Sequence, residues 1–220
     1  MAERETDKFL SELERTNNEK LERIAVLSAT GRDTTEITVP RLLKLALKNE
    51  LEAFEIAAMW THTTPELEPK LVFARQCGDE AKHFKLIAER MSALAIDITR
   101  LDPREGGYSK LFEYLKGLES TVERIAAANF TREGLALVRN QVFIEFCEAS
   151  GDPVTAALYR DIIQPDEKHH HEVGRKLLSR WAIDAPSRKL AAAASARVLE
   201  LAEEIQEIAR MKGVVCAPGC

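Results

Sequence analysis

An all-α bundle in one domain is predicted by three observations. Apolar residues recur at a period near 3.6 along almost the whole chain, and no stretch sustains the period-two alternation of β-branched residues that marks strands. Pro, Gly and Asp gather at a few points that divide the chain into segments of helical length. With 220 residues, 45% of them hydrophobic, the chain can bury one substantial core, and nothing in it forces a second domain.

The first helix, over residues 5–29, carries Phe9, Leu10, Leu13, Leu21 and Ile24 on one face and stops at Gly31, as expected of a helix covering the bundle from outside. A second opens at Pro40 and runs to residue 60 through Leu43, Ala46, Leu47, Glu50, Phe54 and Ala57. It is apolar on more than one face, as a core helix is. Thr64 and Pro65 read as the cap and first position of a third helix carrying Leu71, Phe73, Glu80, His83, Ile87 and Met91. Residues 95–107 form a crossover connection rich in Pro, Gly and Asp, followed by a fourth helix over 109–128. A fifth starts at Thr131, with Phe130 and Leu135 stapling its first turn, and continues through Val138, Val142, Glu145 and Phe146. Gly151-Asp152-Pro153 ends it and starts the sixth, 153–181; the seventh, 187–212, is Ala-rich with an acidic outer face. The helical domain is thus expected over 1–212, with a flexible tail over 213–220.

Charge narrows the function classes. The balance of 31 basic against 36 acidic residues gives a formal net charge of -5, which argues against a protein whose main task is gripping nucleic-acid phosphates. No apolar run has the length of a signal peptide or a membrane span, so a soluble, cytoplasmic protein is expected. Cys77 and Cys147 lie in apolar helical sequence and read as small core residues, whereas Cys216 and Cys220 form a terminal dithiol in Val-Val-Cys-Ala-Pro-Gly-Cys.

The chemistry lies in a string that occurs twice, Asp79-Glu80-Ala81-Lys82-His83 and Asp166-Glu167-Lys168-His169-His170. Glu and His at i and i+3 share a helical face, so each string offers one carboxylate and one imidazole to a common point. A single such match is weak, because Glu is abundant; two, each preceded by Asp, point to a dinuclear metal site. In the second string Asp166 with His169 is also an i, i+3 pair, and Glu167 with His170 is preferred because it repeats the order of the first. Pro165 removes a helical hydrogen bond just before these ligands and is expected to kink or bulge the helix.

Two metal ions need about six protein ligands, so two further buried glutamates are sought. Glu50, thirty residues before Glu80, lies at a similar distance from the turn near 63–68 and meets it at one height in an antiparallel hairpin. Glu52 lies about 200° round the helix from Glu50. Glu55 is left as a carboxylate beside the site or in solvent. Glu145, amid Val142, Phe143, Ile144 and Phe146, is preferred for the second place because a lone carboxylate in apolar surroundings needs neutralising. Its rival is Glu133, which is more symmetric with Glu167 about Gly151 but sits in what reads as an exposed helix start.

These segments resemble the ferritin-like di-iron carboxylate proteins. Asn49-Glu50-Leu51 resembles the first-ligand segment of bacterioferritins, and Glu50-Leu51-Glu52-Ala53-Phe54 that of aldehyde-deformylating oxygenases. Phe143-Ile144-Glu145 is similar to the third-ligand segment of those oxygenases and of the tRNA hydroxylases, and Asp166-Glu167-x-x-His170 followed by Gly174 to the fourth. The resemblance covers about residues 40 to 180. It departs in the interval from Glu145 to Glu167, shorter by about one heptad, and in the cysteine tail. It implies a four-helix bundle with flanking helices and two iron ions on Glu50, Glu80, His83, Glu145, Glu167 and His170, with manganese-iron or manganese pairs served by the same donors. It further implies an oxidase or oxygenase that uses O2 on a small organic substrate, with electrons from a protein donor or a thiol reductant and with a homodimer as a compatible assembly. Phe54, Phe84, Phe143 and Phe146 are then expected to line an apolar substrate pocket. A ferroxidase or peroxide scavenger and a tRNA-modifying hydroxylase guided by Arg175, Lys176, Arg180, Arg188 and Lys189 are the alternatives.

Overall fold

The computed structural model describes residues 2–30, 37–211 and 218–219. It is an all-α bundle, with no strand among the described residues. The helices are α1 (Ala2–Thr30), α2 (Val39–Thr63), α3 (Leu67–Ala93), α4 (Lys110–Lys116), α5 (Thr121–Ile125), α6 (Glu133–Ala149), α7 (Pro153–Leu158), α8 (Gln164–Trp181) and α9 (Ala185–Met211). The π-helical turns Ala126–Arg132 and Tyr159–Ile163 fuse α5 with α6 and α7 with α8. Four long rods result: α2, α3, α5–α6 and α7–α8. Helices α1 and α9 pair with each other and cover the α5–α6 rod.

Local chemistry sets the boundaries. Thr38 caps α2 by accepting from the Arg41 N–H, with Pro40 in the first turn. Helix α3 starts two residues later than Thr64-Pro65 suggests, because the Thr64 hydroxyl is engaged by Arg124 (2.8 Å). The single fourth helix expected over 109–128 is broken at Gly117, and Ser120 reopens the chain with a capping box to Glu123. From there the helix runs unbroken past Thr131. The Thr131 hydroxyl, expected at a helix start, instead joins Asn17 of α1 (3.3 Å) and Ser195 of α9 (2.7 Å) in a buried cluster that pins the covering pair. Tyr159–Ile163 takes its wide π turn two residues before Pro165, the bulge which that proline predicts.

The core is split along the bundle. One apolar cluster gathers Trp60, Phe73, Phe130, Leu177 and Leu178; another gathers Leu43, Leu47, Ile87, Met91, Phe143, Tyr159 and Ile163. On every rod a polar gap separates the two: Glu50 on α2, Glu80 and His83 on α3, Glu133 on α6, Glu167 and His170 on α8, all buried. The apolar clusters therefore seal this layer above and below.

Candidate metal centre

Six ligand-type side chains meet in that layer, in two groups that share two members. Glu50, Glu80, His83 and Glu167 form one group and Glu80, Glu133, Glu167 and His170 the other, each with ligand atoms within 4.8 Å of one another. Around the first imidazole, His83 Nδ1 stands 3.5 Å from Glu50 Oε2, 3.2 Å from Glu80 Oε2 and 3.7 Å from Glu167 Oε1. Around the second, His170 Nδ1 stands 3.5 Å from Glu80 Oε1, 3.5 Å from Glu167 Oε2 and 3.8 Å from Glu133 Oε2. Glu80 and Glu167 thus each turn one oxygen to either side, which is how a carboxylate bridges two cations. Glu50 and Glu133 serve one side each.

The Asp of each string serves the imidazole of the other. Asp166 Oδ2 lies 3.1 Å from His83 Nε2, and Asp79 Oδ2 lies 3.1 Å from His170 Nε2. An Nε2–H held by a carboxylate leaves the Nδ1 lone pair facing the cluster and makes it more basic, the usual support for a metal-binding His. Gln76 ties the second group together, donating to Glu133 Oε1 (2.6 Å) and Glu80 Oε1 (3.2 Å), and its own carbonyl accepts from Asn129 (2.9 Å). Asp79 and Gln76 carry no ligand spacing of their own, and that of Asp166 is with His169 and not with the His83 it serves. Only the shared Asp-Glu-x-x-His order marks the two aspartates.

The donor set fits a metal pair. Glu50 Oε1, both oxygens of Glu167 and His170 Nδ1 are buried without a hydrogen-bond partner, a costly state that a cation would relieve. Burial pushes the Glu50 carboxyl up to about 7, and burial with the neighbouring Glu80 and Glu133 pushes Glu167 well up too. At His83 burial opposes the charged form, but contacts with Glu50 and Glu80 outweigh it and push the imidazole up to about 12. His170 is raised against burial by Asp79, Glu133 and Glu167. Burial also opposes ionisation of Glu133, yet Glu167 and His170 beside it hold its carboxyl down to about 2. Raised imidazoles and carboxyls in one layer retain protons, which any metal ion entering it would have to displace.

Glu145 is not part of the centre. It is exposed on α6, accepting from Gln141 (3.0 Å), and Glu133 occupies the place predicted for it. Twelve residues separate the two, so Glu145 sits about 18 Å further along the helix and about 120° round it. The apolar neighbours Phe143, Ile144 and Cys147 face the core while Glu145 points outward. Glu133 is no exposed start, since the helix is already running from Thr121. Glu52 and Glu55 also face elsewhere: Glu52 accepts from the Ser109 N–H (2.9 Å) and Glu55 from Arg104 (2.7 Å) and Tyr108 (2.8 Å).

Of the four aromatics expected to line a pocket, Phe143 lies in the core, Phe84 and Phe146 pack partly buried against it, and Phe54 is half-buried. Phe54 packs edge-on against Phe84 (6.2 Å) and Phe143 against Tyr159 (4.8 Å). An apolar cavity of about 590 Å³ lies elsewhere, between α3 and α8. Leu67, Leu71, Val72 and Val173 line it, with the buried Gln76 and His170 at its inner end and Arg75 at its rim. Cys77 and Cys147 carry free thiols, half-buried and buried, whereas Cys216 and Cys220 lie outside the described residues. Comparisons with protein-family profiles, curated proteins and solved structures returned no match.

Proposed function

We propose that the protein is a non-haem oxidoreductase of the ferritin-like carboxylate kind, which uses O2 at a dinuclear iron centre to oxidise a small apolar organic substrate. The observation that carries this reading is the division of the Glu80 and Glu167 oxygens between two imidazoles, with one further carboxylate on each side. Four carboxylates and two imidazoles suit iron, or manganese with iron, better than softer metals. Two ferrous ions held there would supply two electrons to O2. Glu80 and Glu167 would bridge the ions, while Asp79 and Asp166 fix the two imidazoles. Gln76 holds Glu80 and Glu133 in place from the cavity side.

The apolar cleft between α3 and α8 supports an oxidase or oxygenase over a ferroxidase or peroxide scavenger, because neither of those needs an apolar surface leading to a ligand imidazole. The tRNA reading draws no support from the basic cluster: Arg175 pairs with Glu14, Arg180 with Glu68 and Arg188 with Glu5. Helices that could cross a membrane are absent among the described residues.

Anaerobic titration of metal-free protein with ferrous iron, followed by rapid mixing with O2, tests the reading. About two irons per chain and an O2-dependent visible absorbance are expected. Binding of one iron or none, without reaction, would remove it.

A further inference from the structure

The two halves of the metal layer differ in access. Pro218 and Gly219 are buried against the Glu50 half, where a flexible tail was expected. The Asn49 side-chain amide donates to the Pro218 carbonyl (3.0 Å), and the Gly219 N–H donates to Oδ1 of the buried Asn140 (2.7 Å). Gly219 has φ +83, and a Cβ there would stand 3.2 Å from Glu50 Oε1, so its backbone covers that carboxylate closely and has no room for a side chain. The His170 half is approached instead from the apolar cleft between α3 and α8, whose inner end is formed by Gln76 and His170.

The halves differ also in the donors they offer, although each has four ligand-type residues. Glu50 Oε2 stands 3.5 Å from His83, and its Oε1 is buried without a hydrogen-bond partner, so both oxygens can turn to one cation. At Glu133, Oε2 faces His170 (3.8 Å) while Oε1 accepts a 2.6 Å bond from the Gln76 amide. An oxygen held that tightly by an N–H gives less to a metal ion. The Gln76 carbonyl accepts from Asn129 (2.9 Å), which keeps the Gln76 N–H groups aimed at Glu133 and Glu80. Asn129 is in turn fixed where the π-helical turn Ala126–Arg132 meets Gly174 of α8. We propose that Gln76 is a positioning residue: by engaging one oxygen of Glu133 it keeps a coordination place open on the His170 half, and this place, reached through the cleft, takes a small exogenous ligand, O2 or a small anion. The Glu50 half, chelated by Glu50 and covered by Gly219, takes none. Substrate in the cleft and the exogenous ligand thus meet on one side of the layer. This rests on the reading of the layer as a dinuclear metal site, though not on which metal fills it.

The test uses the metal-free full chain loaded with cobalt(II) under argon and then titrated with azide, both followed by visible absorbance. About two cobalt ions and one azide per chain are expected. Gln76→Met, which keeps the side-chain length and loses the N–H donors, should still hold both cobalt ions but bind azide about tenfold more weakly, because Glu133 is released to chelate. Val173→Trp, or Leu71→Trp at the exposed wall of the cleft, should slow azide entry about tenfold with the cobalt content unchanged. Two azides per chain, or none, overturns the assignment, as does wild-type azide affinity in Gln76→Met. Loss of cobalt from Gln76→Met overturns it too, since Gln76 would then be holding an ion and not keeping a place open. An unhindered azide rate in both tryptophan variants refutes the route through the cleft. Failure of the wild-type chain to bind a cobalt pair removes the dinuclear reading as well, whereas the other adverse outcomes leave it standing.

Discussion

Each imidazole of the centre is held by an Asp from the other string, and His83 also by its own Glu80 one turn earlier. Asp79→Asn or Asp166→Asn should therefore weaken metal binding about 10–100-fold without unfolding the bundle, because the ring loses its orienting carboxylate and some basicity. Metal titration of the two variants checks this; wild-type affinity in both would mean that the aspartates do not support the ligands. A sharper contrast separates the two candidate glutamates. Glu133→Ala should lose metal from the His170 side, whereas Glu145→Ala should bind as wild type, since Glu145 is exposed and bonded to Gln141 away from the centre. Equal metal content in these two proteins would contradict the assignment.

Helices α5–α6 and α8 approach so closely at Gly174 that a Cβ there would lie 2.6 Å from the Asn129 backbone carbon and 2.7 Å from the Phe130 nitrogen. Backbone cannot yield as a side chain can, so Gly174→Ala should cost about 1–3 kcal/mol and loosen the rod that carries Asn129, Gln76's partner. Denaturant unfolding measures the loss; an unchanged midpoint would show that the rods have slack. At the start of α7, Asp152 accepts from the Thr155 N–H (3.0 Å) and from Arg90 (2.7 Å). Burial opposes its ionisation, but the Thr155 and Arg90 contacts outweigh it and hold the carboxyl below its ordinary 3.8. A depressed native value stabilises the fold above the unfolded value and loses that contribution as pH falls through the native one. Asp152→Ala should thus cost about 2 kcal/mol near neutrality. Its deficit against wild type should shrink below pH 3.8, and a constant deficit down to pH 2 would refute the linkage.

Over the whole molecule, all four rods donate to one buried layer, so metal bound there ties the two hairpins together and binds the folded state alone. At a free-metal level one hundred times the dissociation constant, each ferrous or manganous ion bound should add about 2.7 kcal/mol, and the two together should raise the melting temperature by about 10–20 °C. The same scan on Glu80→Ala should show almost no shift, because the bridging carboxylate serves both sides. Acidification should weaken the effect, since metal must displace protons from a layer in which Glu50 is pushed up to about 7. A metal-independent melting temperature in the wild-type chain would place the ions outside the layer.

Helical periodicity alone determined the fold class, and the doubled Asp-Glu-x-x-His order singled out Glu80, His83, Glu167 and His170, because i, i+3 spacing fixes a shared face whatever the tertiary context. Hairpin symmetry likewise reached Glu50. The same symmetry pointed to Glu133 through its distance from Gly151 and was overruled by the apolar neighbours of Glu145. Neighbours along a helix face every direction, so they report burial of a segment and not of one side chain. The tertiary structure decided what depends on contacts between rods: the unbroken run from Thr121 that buries Glu133, the exchange of Asp79 and Asp166 between strings, the cavity beside His170, and the seat of Gly219 against Glu50. Each joins residues from separate rods or from distant points of the chain, and no local spacing encodes such a meeting.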